Sequence, residues 1–353
     1  MSLPETLAEP GAQFLAEIRE QPAALRRLLE QRGQFVDVAA RVRPGLVRMV
    51  AHGSSDNAAS YGVYAFGLLA GQTALRDSIS LTVYYGARLD FASSTVIALS
   101  QSGRTPDVLE YVLRAKRAGA FTIAVTNNPK SALADAADAV LPLAAGAEHA
   151  VAATKTYLNT LAALALLAGE LGGRGDEVAA GLEGVATALD RELPLLERAA
   201  ASIAVPFASV GRMFAIGRGP EFATAREIAL KLLETCQIAA EPLTATDLAH
   251  GPVAALDSLF PVWAVATDDE TLPVVVEAAA RVRAAGATLI ASGPAAEAIA
   301  DAQYYLPVPK PPEPLLAPLL SVVAGQLFAG AVARAKGLDP DRPRGLSKVT
   351  LAR

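Results

Sequence analysis

The 353-residue chain reads as an α/β protein: a tandem duplication of one parallel-sheet domain, each sheet flanked by helices on both faces. Three observations predict this. Short, unalternated apolar runs take turns with helical periods, which is the pattern of parallel strands buried on both sides. The order of elements occurs twice, with the glycine turn at Gly53 returning at Gly217. KRAGAFTIAV (116–125) and RAAGATLIAS (283–292) are close variants of one another, as an internal repeat requires.

Composition agrees and narrows the classes. Hydrophobic residues make up 52% and charged ones 19%, enough for a large core and too apolar for disorder. A net charge of −5 with three histidines gives no electrostatic footprint for nucleic acid. The single cysteine, Cys236, excludes an internal disulfide framework and a Cys-based zinc cluster. It suits a reducing compartment, so a cytoplasmic protein is expected. The stretch 1–11 is acidic, and no secretory signal is expected there.

Taken in order, residues 1–30 predict a helical arm of mixed charge, and 31–175 the first domain. LVRMVA (46–51), TVIALS (95–100), FTIAVT (121–126) and 139–143 read as its strands. HGSSDN turns into a helix after the first of them, and TPDVLEYVLRAKRAG (105–119) is an amphipathic helix. A connecting helix is placed at 176–200 and the second domain at 201–338. Here RMFAIG (212–217), PVWAVA (261–266) and TLIAS (288–292) predict strands, with helices over 219–237 and 271–286. The uncharged stretch 314–333 is long enough for a membrane span. It holds Pro318, Ser321, Gly325, Gln326 and Gly330 and lacks an aromatic belt, so a helix buried in protein is expected. The tail 339–353 is too rich in Pro and Arg for a helix, and it can fold back to bring Lys348 into a cleft.

The strongest local signal for chemistry is the turn Ser100, Gln101, Ser102, Gly103, Arg104, Thr105. A parallel strand ends, a glycine permits a sharp turn, and a helix begins with Pro106 at its first position. Free N–H groups, the helix dipole and three hydroxyls there make an anion site of phosphate size, against the plainer reading of an N-cap. No Walker lysine is present, so no Mg-nucleotide is expected. The equivalent first turn, 52–57, would lie beside it, although Ser55 or Asp56 could simply cap a helix. Gly217, Arg218, Gly219 is no dinucleotide fingerprint, because Phe222 stands where close packing needs Gly or Ala. Glu227, Lys231 and Glu234 fall on one helical face, ordinarily a solvated stripe. Glu234 followed sixteen residues later by His250 could serve acid–base chemistry, and spacing leaves this open against a plain turn histidine.

Six motifs in order resemble the two-domain sugar isomerase (SIS) family: HGSSDNAASY (52–61), LSQSGRTPD (99–107), AVAATK (150–155), GRGPEFATAREIALKLLET (217–235), EPLTATDLAHGP (241–252) and DPDRPRGLSKVT (339–350). Within the family the chain is similar to the isomerase half of glucosamine-6-phosphate synthase and to synthase-like glucosamine-6-phosphate deaminases. The resemblance implies phosphate and sugar binding by Ser55, Ser100, Gln101, Ser102, Thr105 and Val151. It implies Glu234 as the carboxylate moving a proton between C1 and C2. His250 is implied as the ring-opening imidazole supplied by the other subunit of a homodimer, and Lys348 as a tail lysine for ring opening or imine chemistry. Lys155 matches a family lysine without an assigned role. The substrate expected is a hexose or amino-hexose 6-phosphate, with no cofactor, metal, nucleic acid or membrane. Ala153 replaces a sugar-contacting serine, Arg104 replaces a glutamate, and no N-terminal cysteine nucleophile is present. A glutaminase step is therefore not expected of this chain. The reactions left open are deamination of glucosamine 6-phosphate, isomerase or deglycase action on another amino-sugar or fructosamine 6-phosphate, and sensing without turnover.

Overall fold

In the computed structural model residues 9–348 are described; the expectations for 1–8 and 349–353 lie outside the described residues. Helices α1 (Ala12–Arg19), α2 (Gln21–Leu29) and α3 (Arg32–Ala39) form the arm. The first domain then runs β1 (Leu46–Val50), α4 (Gly53–Ala70), β2 (Ala74–Arg76), α5 (Ile79–Val83), β3 (Ser94–Leu99), α6 (Pro106–Arg117), β4 (Phe121–Thr126), α7 (Ala132–Ala136) and β5 (Ala139–Pro142). Helices α8 (Lys155–Leu171) and α9 (Gly175–Ala204) lead to the second domain. It contains β6 (Arg212–Gly217), α10 (Glu221–Cys236), β7 (Ala239–Thr244), β8 (Val262–Val265), α11 (Leu272–Ala284), β9 (Leu289–Gly293), β10 (Tyr304–Pro307) and α12 (Ala317–Ala335).

Both sheets are five-stranded and parallel, in the orders β2-β1-β3-β4-β5 and β10-β9-β8-β6-β7. Numbered within each copy this is the same order, 2-1-3-4-5, so the repeat in sequence is a repeat in topology. Alternation along the strands divides the core. Ile97, Leu99, Ile123 and Val125 of the first sheet and Met213, Trp263 and Ile290 of the second share one inner core with α8, α9, α10 and α12. The opposite strand faces form two outer cores, Val96 and Ala98 against α6, and Val262 and Ala264 against α11. Because both faces of the central strands β3, β4, β8 and β9 are buried, these strands carry no polar alternation, as their sequences implied.

Helix α12 settles the uncharged stretch. Pro314–Ala335 is long and apolar enough to cross a membrane, yet residues 315–333 are all buried inside the protein. Its polar residues face internal partners: Gln21 Nε2 donates to Gln326 Oε1 at 2.6 Å, and Ser321 Oγ donates to Glu221 at 2.7 Å. Gly325 lets α10 approach so closely that a Cβ there would strike Ile228. The strands without a clear sequence signal, β2, β7 and β10, all lie at sheet edges. Edge strands are half-solvated, and these are short or interrupted by Pro242, so no continuous apolar run marks them.

Candidate active site

In a 2-1-3-4-5 sheet, the connections from strands 1 and 3 leave in opposite directions and open a crevice at their carboxyl ends. The turns after β1 and β3 meet there. They bound a cleft of about 490 Å³ lined by His52, Gly53, Ser55, Ser100, Gln101, Ser102, Thr105, Asp107 and Lys348. A cleft of about 470 Å³ lies at the opposite ends of β3 and β4, beside Arg41 and Arg43. The adjoining end of α6 there is its C-terminus, which disfavours an anion.

Gly103 has φ 64° and a Cβ at that position would collide with Ser131, so only glycine closes this turn without strain. The turn holds itself together: Gly103 N–H donates to Ser100 Oγ at 3.2 Å, and the Ser100 and Thr105 hydroxyls lie 3.1 Å apart. Thr105 makes no side-chain cap to α6, Pro106 has no N–H and Val108 N–H donates to Asp107 Oδ1 at 2.9 Å, so the Asp107 N–H is the first-turn donor left without an intrahelical acceptor. On the other side α4 begins at Gly53, so Ser55 and Asp56 stand inside the first turn instead of capping it. Asp56 is paired with Arg76 and, at 2.8 Å, with Arg226. Burial raises its pKa, but the two guanidiniums outweigh that and hold it below its ordinary value.

Lys348 reaches this cleft because the tail is tied down upstream. Gly11 N–H donates to Asp339 Oδ1 at 3.0 Å, and the Asp341 carboxylate accepts from Gln13 and Phe14 N–H at 3.1 and 2.6 Å. These are orphan donors of α1, capped by a carboxylate more than 300 residues away in sequence. Lys348 Nζ then donates to Glu148 Oε2 and to the Ala150 carbonyl, both at 2.7 Å. Glu148 also accepts from Thr154 N–H at 3.0 Å, Thr156 N–H at 3.1 Å and Thr156 Oγ1 at 2.7 Å. Burial pushes its pKa up, yet the lysine and these donors more than offset it, and the net shift is downward.

The charged face of α10 is not the solvated stripe that spacing suggested. Glu227 and Lys231 are fully buried where α10 packs on α4. Glu227 accepts from Ser54 Oγ and Asn57 Nδ2, both at 2.8 Å, and Lys231 Nζ lies 2.5 Å from Glu234 Oε2 and 3.4 Å from Ser54 Oγ. Burial raises the Glu227 pKa despite Lys231 nearby. For Lys231 the two carboxylates outweigh burial and raise its pKa, which keeps it cationic. The stripe is therefore an interdomain joint. It sets Glu234 of the second domain beside Lys231, which in turn reaches Ser54 on α4, while Glu234 itself is not among the residues lining the cleft.

Other expected residues are placed as follows. His250 ends a short turn, Asp247–His250, is exposed, and does not line the cleft of its own chain. Val151 lies in the loop beside the tail, its N–H 3.4 Å from the Asp341 carbonyl. Arg104 is exposed, and Ala153 packs against the inner core. Lys155 is buried with Nζ donating to Glu20 at 2.6 Å, which ties α8 to the arm. Cys236 is buried with its thiol pushed up to about 11 by burial, fitting a core residue. Sequence reasoning missed Glu148 and Asp107 and did not single out His52. A lone acid between alanines, at 147–150, was the available sign of Glu148.

A tandem parallel α/β repeat with a hydroxyl-lined cleft at its first switch point defines a class, that of doubly wound folds with a ligand crevice at the carboxyl ends of the strands. The SIS domain profile matches residues 47–169 and 207–334, and the chain belongs to the SIS domain family. It is 35% identical, over 95% of its length, to the isomerizing glutamine–fructose-6-phosphate aminotransferase of Gloeobacter violaceus, and spans 58% of that relative's length. The C-terminal domain of glucosamine-fructose-6-phosphate aminotransferase from Francisella tularensis superposes with a TM-score of 0.84 at 26% identity, covering 96% of this chain and 100% of that one. A glucosamine-6-phosphate deaminase from Thermotoga maritima shares the fold, with a TM-score of 0.77 at 20% identity, covering 97% and 100% of the two chains.

Proposed function

We propose that the protein is a phosphosugar aldose–ketose enzyme that converts glucosamine 6-phosphate and water to fructose 6-phosphate and ammonia. The observation that carries this reading is the cleft itself, where a hydroxyl turn, a helix N-terminus and Lys348 converge at the β1/β3 switch point. The phosphoryl group is anchored by Ser100, Gln101, Ser102 and Thr105, with Ser55 across the cleft and Val151 beside the sugar. His250, from the partner subunit of a homodimer, opens the ring; its exposure outside its own cleft supports that placement. Glu234 removes the C2 proton of the open aldehyde and returns it to C1. The C1 carbonyl becomes a hydroxymethyl group and the C2 amine an imine. Water then adds to that imine and ammonia leaves, giving the ketone. Lys348, held by Glu148, supplies a cation to the carbonyl end of the substrate. The scheme uses side chains alone.

The test is ammonia release from glucosamine 6-phosphate, with fructose 6-phosphate followed by a coupled assay. Equal amounts of both products are expected. Positioned proton transfer contributes roughly 10²–10⁴-fold, so Glu234→Gln should lose at least the lower factor. Unchanged turnover in that variant removes Glu234 from the chemistry. Binding without turnover in the unaltered protein favours a sensor or another phosphosugar.

A further inference from the structure

His52 and Asp107 form a pair that the proposed scheme leaves unused. His52 precedes α4 at the end of β1, and Asp107 sits in the first turn of α6, so they face each other across the switch point. His52 Nε2 lies 2.7 Å from Asp107 Oδ2, while Asp107 Oδ1 accepts from Val108 N–H at 2.9 Å. The two side chains differ in exposure: 9% for Asp107 and 56% for His52. Both line the same cleft as Ser102 and Lys348. A pair serving only to join two helices would have no reason to leave the imidazole open to an anion cleft.

An ionised carboxylate can only accept, so Nε2 carries the proton of this hydrogen bond and Nδ1 is left for a ligand. When His52 is neutral, Nδ1 offers a lone pair, and the Asp107 charge stands unbalanced beside the place of an incoming phosphoryl group. Once His52 is protonated, Nδ1–H becomes a donor and the imidazolium cancels that charge.

We propose that His52, oriented by Asp107, is a phosphoryl-binding residue of the cleft, and that binding of a phosphosugar dianion favours its protonated form. This rests on the reading of the cleft as a phosphosugar site. Asp107 is then a positioning residue. The other charges around His52 are Lys348 on the tail, backed by Glu148, the exposed Arg104 on the turn after β3, and Asp56 on α4 itself, held by Arg76 and Arg226. The ligand's own second ionisation, near pH 6, affects wild type and variants alike, so their ratio isolates His52.

The experiment measures affinity of the full chain for glucosamine 6-phosphate and for inorganic phosphate by calorimetry from about pH 6 to 8.5. A charge-assisted hydrogen bond corresponds to roughly 10- to 100-fold in affinity. His52→Gln is expected to lose that factor at the acid end and to approach wild type at the alkaline end. His52→Arg should bind well with a flat pH ratio, and it controls for misfolding of the glutamine variant. Asp107→Asn removes the counter-charge and should move the wild-type pH dependence toward lower pH, which a merely structural pair would not do. If Ser102→Ala weakens binding while His52→Gln matches wild type throughout, the proposal is overturned and the phosphosugar reading stands. If the unaltered protein binds neither probe, the reading of the cleft fails and the proposal falls with it.

Discussion

The two copies of the repeat end their third strands differently. In the first, β3 runs into Ser100, Gln101, Ser102, Gly103, Arg104, Thr105; in the second, β8 runs into Ala266, Thr267, Asp268, Asp269, Glu270, Thr271. In the first turn the Ser100 and Thr105 hydroxyls bond to each other and Ser102 Oγ accepts from Arg104 N–H, all at the wall of a cleft. The second gives its hydroxyls to carboxylates: Thr267 donates to buried Glu221 at 2.7 Å, and Thr271 to Asp269 at 2.7 Å. Topology provides the same crevice in both copies, but three acids repel a phosphoryl group where hydroxyls and a backbone nest attract it. One fold thus carries two roles. The first copy has the hydroxyl-lined cleft, and the second packs α10, which bears Glu234, against α4 beside it.

The sharpest way to break the comparison is to write the second turn into the first. Ser102→Asp places a carboxylate in the turn proposed to anchor the phosphoryl group, and like-charge juxtaposition costs several kcal/mol. A fall in kcat/KM of roughly 10³-fold or more is expected, with the melting temperature held as a check on folding. Retained activity would place the anion elsewhere.

Next is the proposed sharing of one site between two subunits. Glu234→Gln and His250→Ala should each be inactive alone. If one site draws on two chains, mixed dimers regain one intact site. Co-refolding equal amounts should then restore about a quarter of wild-type activity. No recovery would mean that both residues serve the same chain's cleft.

Smaller effects separate the buried carboxylates. Glu148 has a lysine and a lowered pKa, so its contribution is complete above the unfolded value of 4.5 and is lost as pH falls below it through the folded value. Glu221 has only neutral donors; burial outweighs the bonds from Thr224, Thr267 and Ser321 and raises its pKa. Its contribution is greatest at low pH and is lost as pH rises from 4.5 through the folded value. Glu148→Gln should therefore destabilise by about 2–4 kcal/mol at neutral pH, less near pH 4. Glu221→Gln should show the opposite trend, with its cost shrinking toward neutrality. Thermal unfolding across pH reads both slopes. The smallest effect expected is Asp268→Ser, which removes an exposed pair with Lys310 and should leave activity within about twofold.

Much of the fold was legible because parallel strands buried on both faces leave an unambiguous apolar signature. Edge strands such as β2 and β10 lack it and went unmarked. The hydroxyl-rich turn was legible for a related reason: its hydroxyls and Gly103 lie within six consecutive residues, so local sequence marks it. Glu148, Asp107 and the Glu227–Lys231 joint were not legible. Their partners stand 200, 55 and 170 to 177 positions away along the chain. On α10 the charged stripe follows the helical period whether water or another helix covers it, and here α4 covers it.

The sequence by itself determined the repeat, the class of fold, the glycine turn after β3 and the family, since each depends on residues close together or on a pattern that repeats. Only the tertiary structure decided which of the two turns stays open, that Lys348 is delivered through Asp341 on α1, and that α10 crosses between domains with its charges buried. Those outcomes depend on burial and on charge at short range. Neighbours from distant parts of the chain fix both.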